Sequence, residues 1–104
     1  MACGPVCKMR RAAKIDDNQT AVVNALRYAG CKVQSLAAVG NGCPDLLVLY
    51  VGRLMLLEVK DGAKPPSARA LTPDQRDWHA NWARAPLSVV TSPEEALAAL
   101  GIWR

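Results

Sequence analysis

The chain has 104 residues, 51% hydrophobic and 21% charged, a composition that excludes a disordered tail or a multidomain enzyme and predicts one globular domain. Thirteen Lys and Arg against nine Asp and Glu give a net charge of +4, and Lys8, Arg10, Arg11 and Lys14 hold the whole excess because no acid precedes Asp16. The sequence therefore divides into a basic arm, 1–14, and a neutral domain, 15–104, a pattern shared by chains with a polyanionic partner and by solvated tails.

No apolar stretch of signal-peptide length follows the first basic residues, so the expectation is a cytoplasmic protein with reduced thiols at Cys3, Cys7, Cys31 and Cys43. Those cysteines are spaced poorly for a four-thiolate zinc site. Asp16 and Gln19 stand in capping-box relation, and Val22, Val23, Leu26 and Ala29 follow at helical spacing until Gly30. Lys32 to Val39 reads as a strand, and Gly40, Asn41, Gly42 and Pro44 as a tight turn. Asp45 to Val51 and Leu54 to Lys60 are apolar runs too short for the roughly 20 residues of a membrane span. Joined by Gly52 and Arg53 in a type II′ turn, they form a hairpin central in the sheet.

Asp61 to Leu71 reads as a long polar loop carrying Lys64 and Arg69. Thr72, Pro73 and Gln75 give a capping box with proline at the first helical position, and Gln75, Trp78, His79 and Trp82 share one face of the helix that follows. Trp78 and Trp82 at this spacing read as core in preference to nucleobase platforms, and His79 as a packed or surface residue. Leu87 to Thr91 is a strand, and Ser92, Pro93 and Glu95 start a last helix ending at Gly101. The fold class is α/β, with element order αβββαβα and a central mixed sheet flanked by helices.

Charge at the ends of apolar strands needs an explanation, because an unpaired buried charge is costly. With Gly52 and Arg53 as the loop, Asp45 stands opposite Lys60, and Asp45, Glu58 and Lys60 project from one face. Asp45 and Glu58 are then diagonal neighbours about 7 Å apart, a span that one divalent cation bridges. Two carboxylates and a lysine suit hydrolysis of phosphodiesters assisted by Mg²⁺ or Mn²⁺. A structural salt bridge between Asp45 and Lys60 is the competing reading.

Pro44-Asp45 followed by Glu58-Val59-Lys60 resembles the PD-(D/E)XK nuclease superfamily. The wider strings, Gly42 to Val48, Leu57 to Gly62 and Leu71 to Gln75, resemble its VRR-NUC branch, over about Ile15 to Leu100. The resemblance implies a restriction-endonuclease-like core in which Asp45, Glu58 and the backbone carbonyl of Val59 hold the metal and Lys60 serves the attacking water. It implies that Gln75 points toward the active centre. The first helix of that branch usually offers an acidic ligand, for which the counterpart here is Gln19 or a neighbour among Asp16, Asp17 and Asn18. Capping is the competing role for Gln19.

Small members of the branch are carried by phages and prophages and resemble Holliday-junction resolvases. The implied protein is thus a homodimeric endonuclease on branched or structured DNA, gripping phosphates without sequence specificity through Lys8, Arg10, Arg11, Lys14, Lys64 and Arg69. A flap or nicking endonuclease of the same fold, or a catalytically inactive DNA-binding module, are the alternatives.

Overall fold

The computed structural model describes residues 17–102, so the arm and Asp16 lie outside the described residues. Helix α1, Asp17–Tyr28, buries Val22 and Leu26 and ends at Gly30 as the sequence predicts. The Gly30 amide donates to the Arg27 carbonyl and the Cys31 amide to Leu26, both at 3.0 Å. This is a Schellman closure, and it requires the left-handed φ of +98° at Gly30.

Four strands follow: β1, Lys32–Ser35; β2, Leu46–Tyr50; β3, Arg53–Val59; and β4, Leu87–Val90. They form one mixed sheet in the order β1-β2-β3-β4, antiparallel except for the parallel pair β3 and β4. Strand β1 stops four residues short of the expected Val39. Ser35 Oγ accepts from the Ala37 amide and turns the chain, because a serine hydroxyl competes with the strand ladder for backbone donors.

The β2–β3 hairpin is central, as expected, but its register differs. Tyr50 pairs with Arg53, so the loop is Val51-Gly52, and their φ values of +48° and +75° make a type I′ turn instead of II′. Relative to the expected pairing the partner strand slides by two residues. A two-residue slide keeps every side chain on its face. Asp45 therefore falls opposite Glu58 when the ladder is continued past Leu46 and Leu57, not opposite Lys60. The left-handed conformation is costly for a β-branched residue, about 1–2 kcal/mol. Val51→Asn, which supplies the residue type this turn favours, is expected to stabilise the fold by about 1 kcal/mol in a urea titration.

One sheet face carries the core. Leu46, Val48, Leu57, Val59 and Val90 pack with Val22 and Leu26 of α1 and with Ala96 and Leu100 around helix α4, Pro93–Ala99. Ser92 caps α4 by accepting from the Glu95 amide. Leu47, Leu49, Leu54, Leu56 and Val89 line the opposite face, where Leu49, Leu54 and Val89 are exposed. The expected loop before the second predicted helix contains a short turn of helix, α2, Pro66–Arg69. Helix α3, Pro73–Asn81, begins with the complete Thr72/Gln75 capping box.

Helix α3 contains no buried residue, which corrects the expectation that Trp78 and Trp82 belong to the core. It is seated instead by a close backbone approach at Gly42, whose φ is +83°. A Cβ on Gly42 would overlap the Asp74 carbonyl and lie 2.8 Å from the Gln75 nitrogen. The glycine thus serves contact with α3. Among the described residues no helix is long and apolar enough to cross a membrane.

Candidate active site

The sheet ends and α3 bring Asp45, Glu58, Lys60 and Gln75 together. Asp45 precedes β2, and its Oδ2 accepts the Val59 amide at 2.7 Å, extending the ladder by a side chain. Glu58, on β3, is 1% exposed. Its Oε2 accepts from Gln75 Nε2 at 3.0 Å. Gln75 Oε1 in turn accepts from Lys60 Nζ at 2.8 Å and from the Thr72 amide at 2.9 Å. One amide therefore orients the carboxylate, holds the ammonium and closes the helix cap. The cap and the bonds to Glu58 and Lys60 are therefore one geometry.

No ion pair joins Asp45 to Lys60 among the described residues, so the salt-bridge reading is not realised. Burial, above all, and the negative charge of Asp45 beside it push the Glu58 carboxyl up from 4.5 to about 8, with Lys60 opposing. Direct opposition explains the crowding, since cross-strand partners sit about 4.5–5.5 Å apart at Cβ, closer than a diagonal pair. Burial and the charges of Glu58 and Asp45 also push the Cys43 thiol up.

Glu58 Oε1 is buried without a hydrogen-bond partner. Two crowded carboxylates, one oxygen of which is orphaned, form a hard-oxygen donor set that fits a divalent cation such as Mg²⁺ or Mn²⁺. Among the described residues no group of three or more His, Cys, Asp and Glu gathers round one point. Further donors would come from the main chain, water or substrate, as small hard cations accept readily.

The site opens into a cavity of about 260 Å³ lined by Gln19, Asp45, Glu58, Lys60, Lys64 and Gln75, among others. Gln19 thus reaches the site from α1, and Lys64 from the loop. Asn18 does different work: its Nδ2 donates to the carbonyls of Lys60, at 2.7 Å, and Thr91, at 3.1 Å, clasping the ends of β3 and β4. Arg69, on α2, has a buried Nε without a partner. Lys8, Arg10, Arg11 and Lys14 lie outside the described residues.

His79 is the residue that sequence reasoning missed. Its Nε2 is 4.0 Å from Glu58 Oε1, too far for a hydrogen bond, and neither atom has another partner. Burial and the positive charge of Lys60 push its imidazole down, so at neutral pH this is no salt bridge. Its spacing of four from Gln75 was the available signal, because i and i+4 share a helix face.

Gln75→Ala is expected to lower the rate of any reaction at this site about 10- to 100-fold, as removal of a ligand-orienting partner does. Single-turnover assays would measure it, with circular dichroism checking α3.

No family model and no curated protein matches the chain. Its structure is similar to a solved VRR_NUC domain, with a TM-score of 0.59 and 27% identity over 83% of this chain and 92% of that one.

Proposed function

From a chain that has the VRR-NUC fold, we propose a divalent-metal-dependent nuclease of the PD-(D/E)XK type that hydrolyses phosphodiester bonds in structured DNA as a resolvase-like homodimer. The observation that carries the reading is the crowded pair of the half-buried Asp45 and the buried Glu58 beside a lysine fixed by Gln75. Such a pair holds a charge problem that a bound cation solves, and it does so at the mouth of a polar cavity.

Asp45 and Glu58 hold the ion, with the Val59 carbonyl as a third oxygen and Gln19 facing the same cavity. When bound, the ion supplies charge neutralisation at the scissile phosphate and a more acidic water. Lys60 Nζ, restrained by Gln75, orients the attacking water. Lys64 and Arg69 take phosphates near the cavity, and Lys8, Arg10, Arg11 and Lys14 take further ones. With Asp45 and Glu58 ionised around one divalent ion, the domain from Ile15 on would carry about +2, so it attracts DNA without the arm.

The exposed apolar side chains Leu49, Val51, Leu54 and Val89 support pairing of two copies, since such clusters mark interaction surfaces. A four-way junction needs two symmetric nicks, which a two-fold dimer supplies. The test is cleavage of a labelled four-way junction with Mg²⁺, with Mn²⁺ and with chelator, alongside light scattering for the molar mass. Cation-dependent paired nicks are expected. Equal inertness of wild type and Lys60→Ala under both ions would leave a DNA-binding module and sink the nuclease reading.

A further inference from the structure

Trp78 and Trp82 stack on one another with ring centroids 4.9 Å apart and planes 9° from parallel. Trp82 is 54% exposed. Trp78 is half-buried and Trp82, the C-cap of α3, is exposed, so much of the pair's apolar area stays in water and would be released if covered. The pair also lies beside the site. Trp78 meets the His79 ring edge-on at 6.4 Å, and His79 Nε2 lies 4.0 Å from Glu58 Oε1 without a hydrogen bond. A row of rings therefore leads from the neighbourhood of Glu58 to the surface.

On the 1.5 Å rise of a helix, Trp78 and Trp82 lie about 4.5 and 10.5 Å along the axis from Gln75. Along one DNA strand, phosphates of a duplex rise about 3.4 Å per step, so the pair stands one to three nucleotides from a phosphate placed at the cavity. Within a duplex each base face is already covered by its neighbours. A ring at this position therefore finds a free face only where nucleotides are unpaired. The charges agree: Asp74 and Asp77 lie toward the start of α3, while the exposed Arg84 sits in the turn after Trp82, closed by the Ala85 amide on the Trp82 carbonyl.

We propose that Trp82, backed by Trp78, is a stacking platform for an unpaired nucleobase about three nucleotides from the scissile phosphate. The inference rests on the nuclease reading and narrows its substrate to DNA with unpaired nucleotides within a few steps of the cleaved bond. It predicts a preference for flapped or open-centred branches over continuous duplex.

The test uses the full chain with two probes, a blunt duplex and the same duplex bearing a single-stranded flap with 2-aminopurine at its third unpaired position, with binding read in chelator and cleavage of both probes and of a four-way junction read with Mg²⁺ or Mn²⁺. Binding by wild type is expected to quench the 2-aminopurine, as stacking does. Trp82→Ala should lose the quench and lower the flap-to-duplex affinity ratio about 5- to 100-fold, whereas Trp82→Phe should retain most of both. An unchanged quench and ratio in Trp82→Ala would overturn the inference while cleavage by wild type kept the nuclease reading intact. So would a change of Trp82→Ala from dimer to monomer with an unchanged ratio, which would assign the rings to a subunit contact. Wild type that binds neither probe and cleaves neither them nor the four-way junction with either ion would remove both readings together.

Discussion

Metal-free Glu58→Gln is expected to melt at about the wild-type temperature near pH 4.5, to melt above it at pH 9, and to lose at least about 10²- to 10³-fold in cleavage with Mg²⁺ or Mn²⁺. The stability effect follows from the shift of Glu58 from 4.5 to about 8. Between those values the folded protein holds a proton that the unfolded chain has released. Stability therefore falls as pH rises, with a slope of up to about 1.4 kcal/mol per pH unit, and levels off above the folded value. Glutamine keeps the shape and the bond to Gln75 but has no proton to lose, so its curve lacks this fall.

Divalent cation should narrow the gap at alkaline pH and place wild type above Glu58→Gln near pH 4.5 to 6. Wild type gains stability by mass action, about 2.7 kcal/mol at a hundred times the dissociation constant, while Glu58→Gln gains little. Binding to wild type must also release protons below about pH 8, because the ion displaces the one shared at Glu58. Melts at several pH values, with and without Mn²⁺, would read all of this. A wild type whose metal-free stability rises from pH 5 to 8 relative to Glu58→Gln would contradict the crowded-carboxylate account.

Lys60→Ala should reduce cleavage about 10²- to 10⁴-fold, the range expected when a group acting on the attacking water is removed, and leave the fold intact. A second effect separates it from Gln75→Ala. Lys60 is the group whose charge holds the Glu58 carboxyl down. Its loss drives that carboxyl further up, so half-saturation with Mn²⁺ at fixed concentration should move to higher pH. Calorimetric titration across pH 6 to 9 would detect the move. Because Lys60 and Gln75 share a 2.8 Å bond, the double variant should lose less than the product of the two single losses.

What could be foreseen depended on range. The Thr72/Gln75 cap and the Schellman end at Gly30 are settled within four residues, and both formed as the sequence implies. The common face of Asp45, Glu58 and Lys60 depends only on strand parity, so it survived an incorrect register. The register itself turned on Val51 adopting a left-handed φ, which intrinsic preference argues against. The place of His79 and the exposure of the tryptophans depend on how α3 docks. That docking is set by Gly42, some thirty residues earlier in the chain, and by one amide on Glu58. No local pattern carries such a contact.

The Asn18 clasp has a consequence for Lys60. By binding the Lys60 and Thr91 carbonyls, Asn18 fixes from α1 the backbone that aims the lysine, while Gln75 holds its Nζ from α3. The side chain is thus gripped at its root by one helix and at its tip by another. A change in the seating of either helix would move the ammonium without altering a residue of the carboxylate pair.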